Sequence, residues 1–126
     1  MSLLNLTLVL FSVVMSTGAQ LILKVGANRI NDLVASQDKG LSIISLIPSY
    51  LNVYIIVALL IYFISAAMWV LVLTRVEISI AYPFISIGFI MTLVFGVVFF
   101  GESISLGKVF GTSLIIIGCF FIAKSA

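Results

Sequence analysis

The chain has 126 residues, of which 63% are hydrophobic and only 8% charged, and its mean hydropathy is +1.43. So few charges cannot clothe a water-soluble domain of this length, whereas lipid solvates apolar side chains directly, so an integral membrane protein is expected. A net charge of +2, no His and a single Cys exclude a basic nucleic-acid-binding surface, a zinc cluster, a Ser-His or Cys-His catalytic pair and an intrachain disulfide.

A membrane span needs about 20 residues at about 1.5 Å each. The apolar runs therefore predict an all-α bundle of four transmembrane helices in one domain, residues 1–126. The first helix is expected over about residues 3–23, closed by Lys24; with no basic region before it and no small-residue cleavage site after it, it reads as a helix and not as a cleaved signal. Within it Ser12, Ser16 and Gln20 recur every fourth residue, and Lys24 continues the series, which places a polar stripe along one side. An amide is costly in hydrocarbon, so Gln20 should face protein or a wet cavity. The stripe serves either as hydrogen-bonding glue between helices or as the lining of a pathway.

Residues 25–40 turn polar and read as a loop, followed by a short interfacial segment up to residue 50 that contains Pro48. The second span is expected over about residues 51–74, with Tyr50 and Tyr54 at the interface where it enters and Trp69 and Arg75 near its end. The turn Arg75-Val76-Glu77 is so short that helices two and three must be antiparallel neighbours, and the two charges in it can partly neutralise each other. Cys119 lies deep in the last apolar run, as a lipid-facing or packing residue.

The third span, about residues 78–100, carries Tyr82-Pro83 in or just beyond its first turn, where Pro83 either costs little or bends the helix. Gly88, Thr92 and Gly96 form a narrow face suited to close helix approach. The fourth span, about residues 106–123, has Gly107, Gly111 and Gly118 near one face, and the first two make a GxxxG motif for association within the bundle or between subunits. Four such helices enclose little volume, which favours a dimer. Lys24, Arg29, Lys39 and Lys108 fall on one side and Arg75 and Lys124 on the other, so the positive-inside rule places both termini outside.

With these elements placed, the chain resembles the small four-helix members of the drug/metabolite transporter superfamily, in particular the paired subunits of the aminoarabinose–undecaprenyl-phosphate flippase. The resemblance rests on Gly18-Ala19-Gln20 with Lys24, on Trp69-Val70-Leu71-Val72-Leu73, on Ile80-Ala81-Tyr82-Pro83, on Gly101-Glu102-Ser103-Ile104-Ser105 and on the glycine-rich last helix. It covers nearly the whole chain except residues 28–50, which are longer than usual for the group. The implied fold is the bundle of the small multidrug resistance and EamA-like proteins. The related exporters share Ala81-Tyr82 and Phe100-Gly101, but their first helix carries a membrane glutamate, and that position falls here at Ser16 or Met15. Neither side chain ionises at working pH, so the exporters' coupling chemistry is missing.

The resemblance implies a carrier, in a bacterial inner membrane, of a polyprenyl-phosphate lipid bearing a sugar, working as a homodimer or as a heterodimer with a similar small subunit, without metal or cofactor. On that reading Lys24 contacts the phosphate, Gln20, Ser16 and Tyr82 take head-group or sugar hydroxyls, and Trp69 stacks on a sugar ring or anchors at the interface. Arg75 and Lys108 recruit the anionic head. Two other readings remain: an exporter of cationic compounds, and a non-transporting partner subunit of a glycolipid-modifying system that docks through the glycines of the last helix. No acid–base or nucleophile–base pair can be assembled inside the spans, so enzyme activity is not expected.

Overall fold

The computed structural model describes residues 2–36 and 47–125. Among them four helices are long and apolar enough to cross a membrane: α1 (Leu3–Ser36), α2 (Val53–Leu73), α3 (Ile78–Phe100) and α4 (Leu106–Ser125). α1 packs chiefly along α2, α3 lies against α1, and α4 rests on α3.

The helix α1 corrects one expectation. The polar stretch after Lys24 is not a loop from residue 25: it continues the helix without a break to Ser36. At 1.5 Å per residue, a helix of 34 residues is roughly 50 Å long and outruns a hydrocarbon layer of about 30 Å. Its polar end therefore projects beyond the layer, and contacts with the start of α2 hold it. Gly26 is buried where the two helices cross, and a Cβ on it would lie 2.6 Å from Ile55 Cγ1. The Asn52 amide donates to the Gly26 carbonyl at 3.2 Å. One turn further, the Arg29 guanidinium sits 4.5 Å from the centre of the Tyr54 ring and donates to its hydroxyl at 3.4 Å.

Asn52 also starts α2. Its backbone is extended, with φ −67° and ψ 151°, and its side-chain oxygen accepts from the Ile55 N–H at 3.0 Å, which satisfies one of the free donors of the first turn. Asn52→Ala removes both the cap and the tie to α1, and thermal unfolding in detergent should show a loss of about 1–2 kcal/mol. The preceding residues Ile47–Leu51 form a 3-10 turn that includes Pro48. The remainder of the expected loop and interfacial segment, residues 37–46, lies outside the described residues, as does Lys39.

Between α2 and α3 the Val72 carbonyl accepts from the N–H groups of both Arg75 and Val76 at 2.9 Å, which reverses the chain in a few residues. The buried Val76 joins Val9, Val72 and Ala81 in the small core of the molecule, with Trp69 and Phe84 packed against it. Arg75 and Glu77 are not within ion-pair distance of each other; among the described residues the one ion pair is Lys24–Glu102. Just beyond this turn α3 tightens to 3-10 geometry over Tyr82–Ile85. The cause is Pro83, which has no N–H to continue the α-helical ladder. The Ser86 hydroxyl donates back to the Pro83 carbonyl at 2.7 Å.

α3 ends on Gly101 in the left-handed conformation, φ 63°, which a side chain would strain. None of the residues of α4 is buried. A Cβ on Gly111 or Gly118 would meet nothing within 4 Å, and one on Gly107 only Ser105 Oγ at 3.9 Å. The glycine face of α4 is thus uncovered within the chain.

Candidate functional site

The middle thirds of α1, α2 and α3 enclose a cavity of about 450 Å³. The small core lies at one end of it, where α1 begins and α2 turns into α3. Towards the other end α1 continues through Gln20 to Lys24. α1 contributes Ser12, Ser16, Thr17 and Gln20 to the wall; α2 contributes Tyr62, Ser65 and Trp69; α3 contributes Gly88, Phe89 and Thr92.

Beside the cavity α3 comes close to α1. Gly88 is buried there, and a Cβ on it would stand 2.8 Å from Thr17 Oγ1 and 3.7 Å from Val13 Cγ1. On the α1–α2 side the Ser65 hydroxyl donates to the Ser12 carbonyl at 2.9 Å, a bond buried between the helices. The Ser16 hydroxyl is turned to its own helix, donating to the Val13 carbonyl at 3.1 Å. The hydroxyl of Ser12 is different: its oxygen is buried and has no hydrogen-bond partner, although the residue borders the cavity. A buried hydroxyl without a partner costs about 1–3 kcal/mol. Ser12→Ala is therefore expected to raise, not lower, the unfolding temperature, and a melting curve checks this.

The wall carries hydroxyls, an amide and aromatic rings, and no acidic or basic side chain. It can accept and donate hydrogen bonds to an uncharged polar group and stack a ring against Trp69, but it offers no counter-charge to a cation. Trp69 is itself braced by Tyr82, whose ring meets it edge-on at 6.2 Å and 67°.

Lys24 lies one helical turn past Gln20, about 6 Å further along α1. Its ammonium is 3.4 Å from Glu102 Oε1, and both side chains are about half exposed, 47% and 43%. Glu102 and Lys108 line a second cavity, of about 240 Å³, between α3 and α4; Phe89 and Thr92 line both cavities. The Lys108 ammonium donates to the Ser103 carbonyl at 2.8 Å.

Of the residues singled out from the sequence, the fold brings Ser16, Gln20 and Trp69 into one wall, sets Tyr82 behind Trp69 and puts Lys24 one turn along. Lys108 belongs to the adjoining cavity. Arg75 sits in the exposed turn at the opposite end, beside the core, and is not part of the constellation. Gly88 is used in packing against α1 and Gly96 faces the Glu102 carboxylate, while Gly107, Gly111 and Gly118 stay open. Sequence reasoning passed over Tyr62, Ser65, Thr17 and the pairing role of Glu102. Tyr62, Ser65 and Trp69 do recur at helical spacing, and that stripe was the available signal.

The family model described as "Small Multidrug Resistance protein" matches residues 44–115, which begins before α2 and leaves α1 outside. Over 118 residues, 90% of this chain and 86% of the relative, the chain is 30% identical to "Probable 4-amino-4-deoxy-L-arabinose-phosphoundecaprenol flippase subunit ArnF" of Proteus mirabilis (strain HI4320). Over 58 residues, 46% of this chain and 54% of the relative, it is 33% identical to the corresponding flippase subunit ArnE of Pseudomonas syringae pv. syringae (strain B728a). No solved structure matches the chain. Four apolar helices of spanning length, the matched family model and a relative similar over most of both chains lead to one assignment: the chain belongs to the small multidrug resistance protein family, as a multi-pass membrane transporter homologous to flippase subunits and not an enzyme.

Proposed function

We propose that the chain moves a polyprenyl-phosphate lipid carrying a sugar across a bacterial inner membrane, alone as a homodimer or paired with a similar small subunit. The observation that carries this reading is the uncharged, hydroxyl- and aromatic-lined cavity with a lysine one turn beyond it on the same helix. A bare phosphate in hydrocarbon costs several kcal/mol or more, and a nearby ammonium lowers that barrier while the prenyl tail stays in lipid. Lys24 contacts the phosphate; Ser16 and Gln20 bind sugar hydroxyls; Trp69 stacks on the sugar ring. Lys108 recruits the anionic head. The uncovered glycines of α4 are the association face for the second subunit. The two relatives, both named as flippase subunits, support the same reading.

The family's description favours a second reading, export of a cationic compound. Against it, the position of the exporters' glutamate falls at Ser16 or Met15, neither of them an acid, and no acidic side chain lines the cavity wall.

A binding titration of the purified chain separates the two, read through Trp69, the single tryptophan and part of the cavity wall. Saturable binding of a polyprenyl phosphate and none of a hydrophobic quaternary ammonium compound is the expected outcome. Binding of the ammonium compound alone would replace the carrier reading with the exporter one.

A further inference from the structure

Glu102 is not a loose surface acid. Its backbone N–H donates to the Gly96 carbonyl at 3.0 Å, in the turn that the left-handed Gly101 makes possible. Its carboxylate then lies across the bare backbone of Gly96, where a Cβ would approach Oε2 to 2.9 Å, and reaches Lys24 on α1 with Oε1 at 3.4 Å. Two glycines and a hydrogen bond thus aim one carboxylate at the lysine nearest the main cavity.

We propose that Glu102 is a tethered occupant of the anion site at Lys24, which the phosphate of the lipid must displace, so that Glu102 sets which ligands the carrier accepts. The inference rests on the reading of Lys24 as the phosphate contact. A ligand without negative charge cannot take the place of the carboxylate, whereas a phosphate, with more charge and more acceptor oxygens, can. The displaced carboxylate has somewhere to go. It shares the α3–α4 cavity with Lys108, so it can exchange one ammonium for another and no charge is left unpaired next to the lipid. Until a phosphate arrives, Lys24 is held by its internal partner.

The test uses the purified full chain in detergent and Trp69 fluorescence, with a polyprenyl phosphate and the uncharged polyprenol of equal length as probes. Glu102→Gln is expected to bind the phosphate about three- to fivefold more tightly than the parent, the range set by a half-exposed ion pair, with no gain for the polyprenol. In a Lys24→Gln background the same change should give no gain. Should Glu102→Gln fold poorly, Glu102→Asp serves: it keeps the charge but is one methylene too short for the present contact, and should also tighten phosphate binding. Saturable phosphate binding by the parent with equal or weaker binding by both Glu102 variants would overturn the displacement alone. So would a gain that persists without Lys24. Absence of phosphate binding in the parent and in every variant would overturn the carrier reading together with it.

Discussion

Replacing Lys24 by alanine is expected to weaken polyprenyl phosphate binding about 10- to 100-fold, the worth of roughly 1.5–3 kcal/mol for a charge-assisted contact, and to leave the fold intact. The two effects separate because Lys24 is about half exposed and Glu102, its one ion-pair partner among the described residues, is comparably exposed. Such a pair contributes less than about 1 kcal/mol to folding, and a solvated Glu102 tolerates its loss. The ligand's phosphate loses its nearest cation, since the wall of the main cavity offers hydroxyls and rings but no basic side chain. Titration of the variant through Trp69, set beside its melting curve, checks both halves. A quaternary ammonium compound should bind neither form.

A second large effect is expected at the α1–α3 contact. Gly88→Ala places a methyl group where the Thr17 hydroxyl already stands, 2.8 Å away, inside a buried interface that cannot open without separating α3 from α1. Overpacking of this kind costs about 1–3 kcal/mol, and here it also distorts the wall of the main cavity. The obstruction is a single atom, so removing it should restore what the added methyl group costs. Thr17→Ala deletes that atom, and the double variant Gly88→Ala/Thr17→Ala is expected to recover most of the loss. Thr17→Val, which keeps a methyl in the hydroxyl's place, should not. Melting temperatures of the four proteins form a double-mutant cycle, and additive losses would show that the contact does not govern the helix spacing.

The spans themselves were legible because lipid imposes a simple code: long apolar runs, charges at their ends, and Pro83 near a helix start. The polar stripe of α1 was equally plain, since residues four apart must share a face whatever surrounds them. The extension of α1 to Ser36 was not. A polar stretch outside the membrane has no composition that separates loop from helix, and this one is held by contacts with distant residues: Gly26 against Ile55, Asn52 on the Gly26 carbonyl, Arg29 over Tyr54. The pairing of Lys24 with Glu102 was hidden for the same reason, because only the fold brings the end of α3 beside the middle of α1. Ser65 was overlooked among the apolar residues of α2, where an isolated serine usually bonds within its own helix; here it bonds across to α1. In the candidate site, therefore, each helix's contribution was visible alone, and the juxtaposition of helices was not.

The most direct test of the whole account is photo-crosslinking. A polyprenyl phosphate–sugar with a photoreactive group on its sugar would be irradiated with the purified chain in lipid nanodiscs, and the labelled peptides would be mapped. Label is expected to concentrate on the α1 segment bearing Ser12, Ser16 and Gln20 and on the α2 segment bearing Ser65 and Trp69, to be suppressed by excess unlabelled lipid and to be lost with Lys24→Ala. Label confined to the outward faces of α4, or label on the cavity segments that Lys24→Ala leaves unchanged, would contradict it.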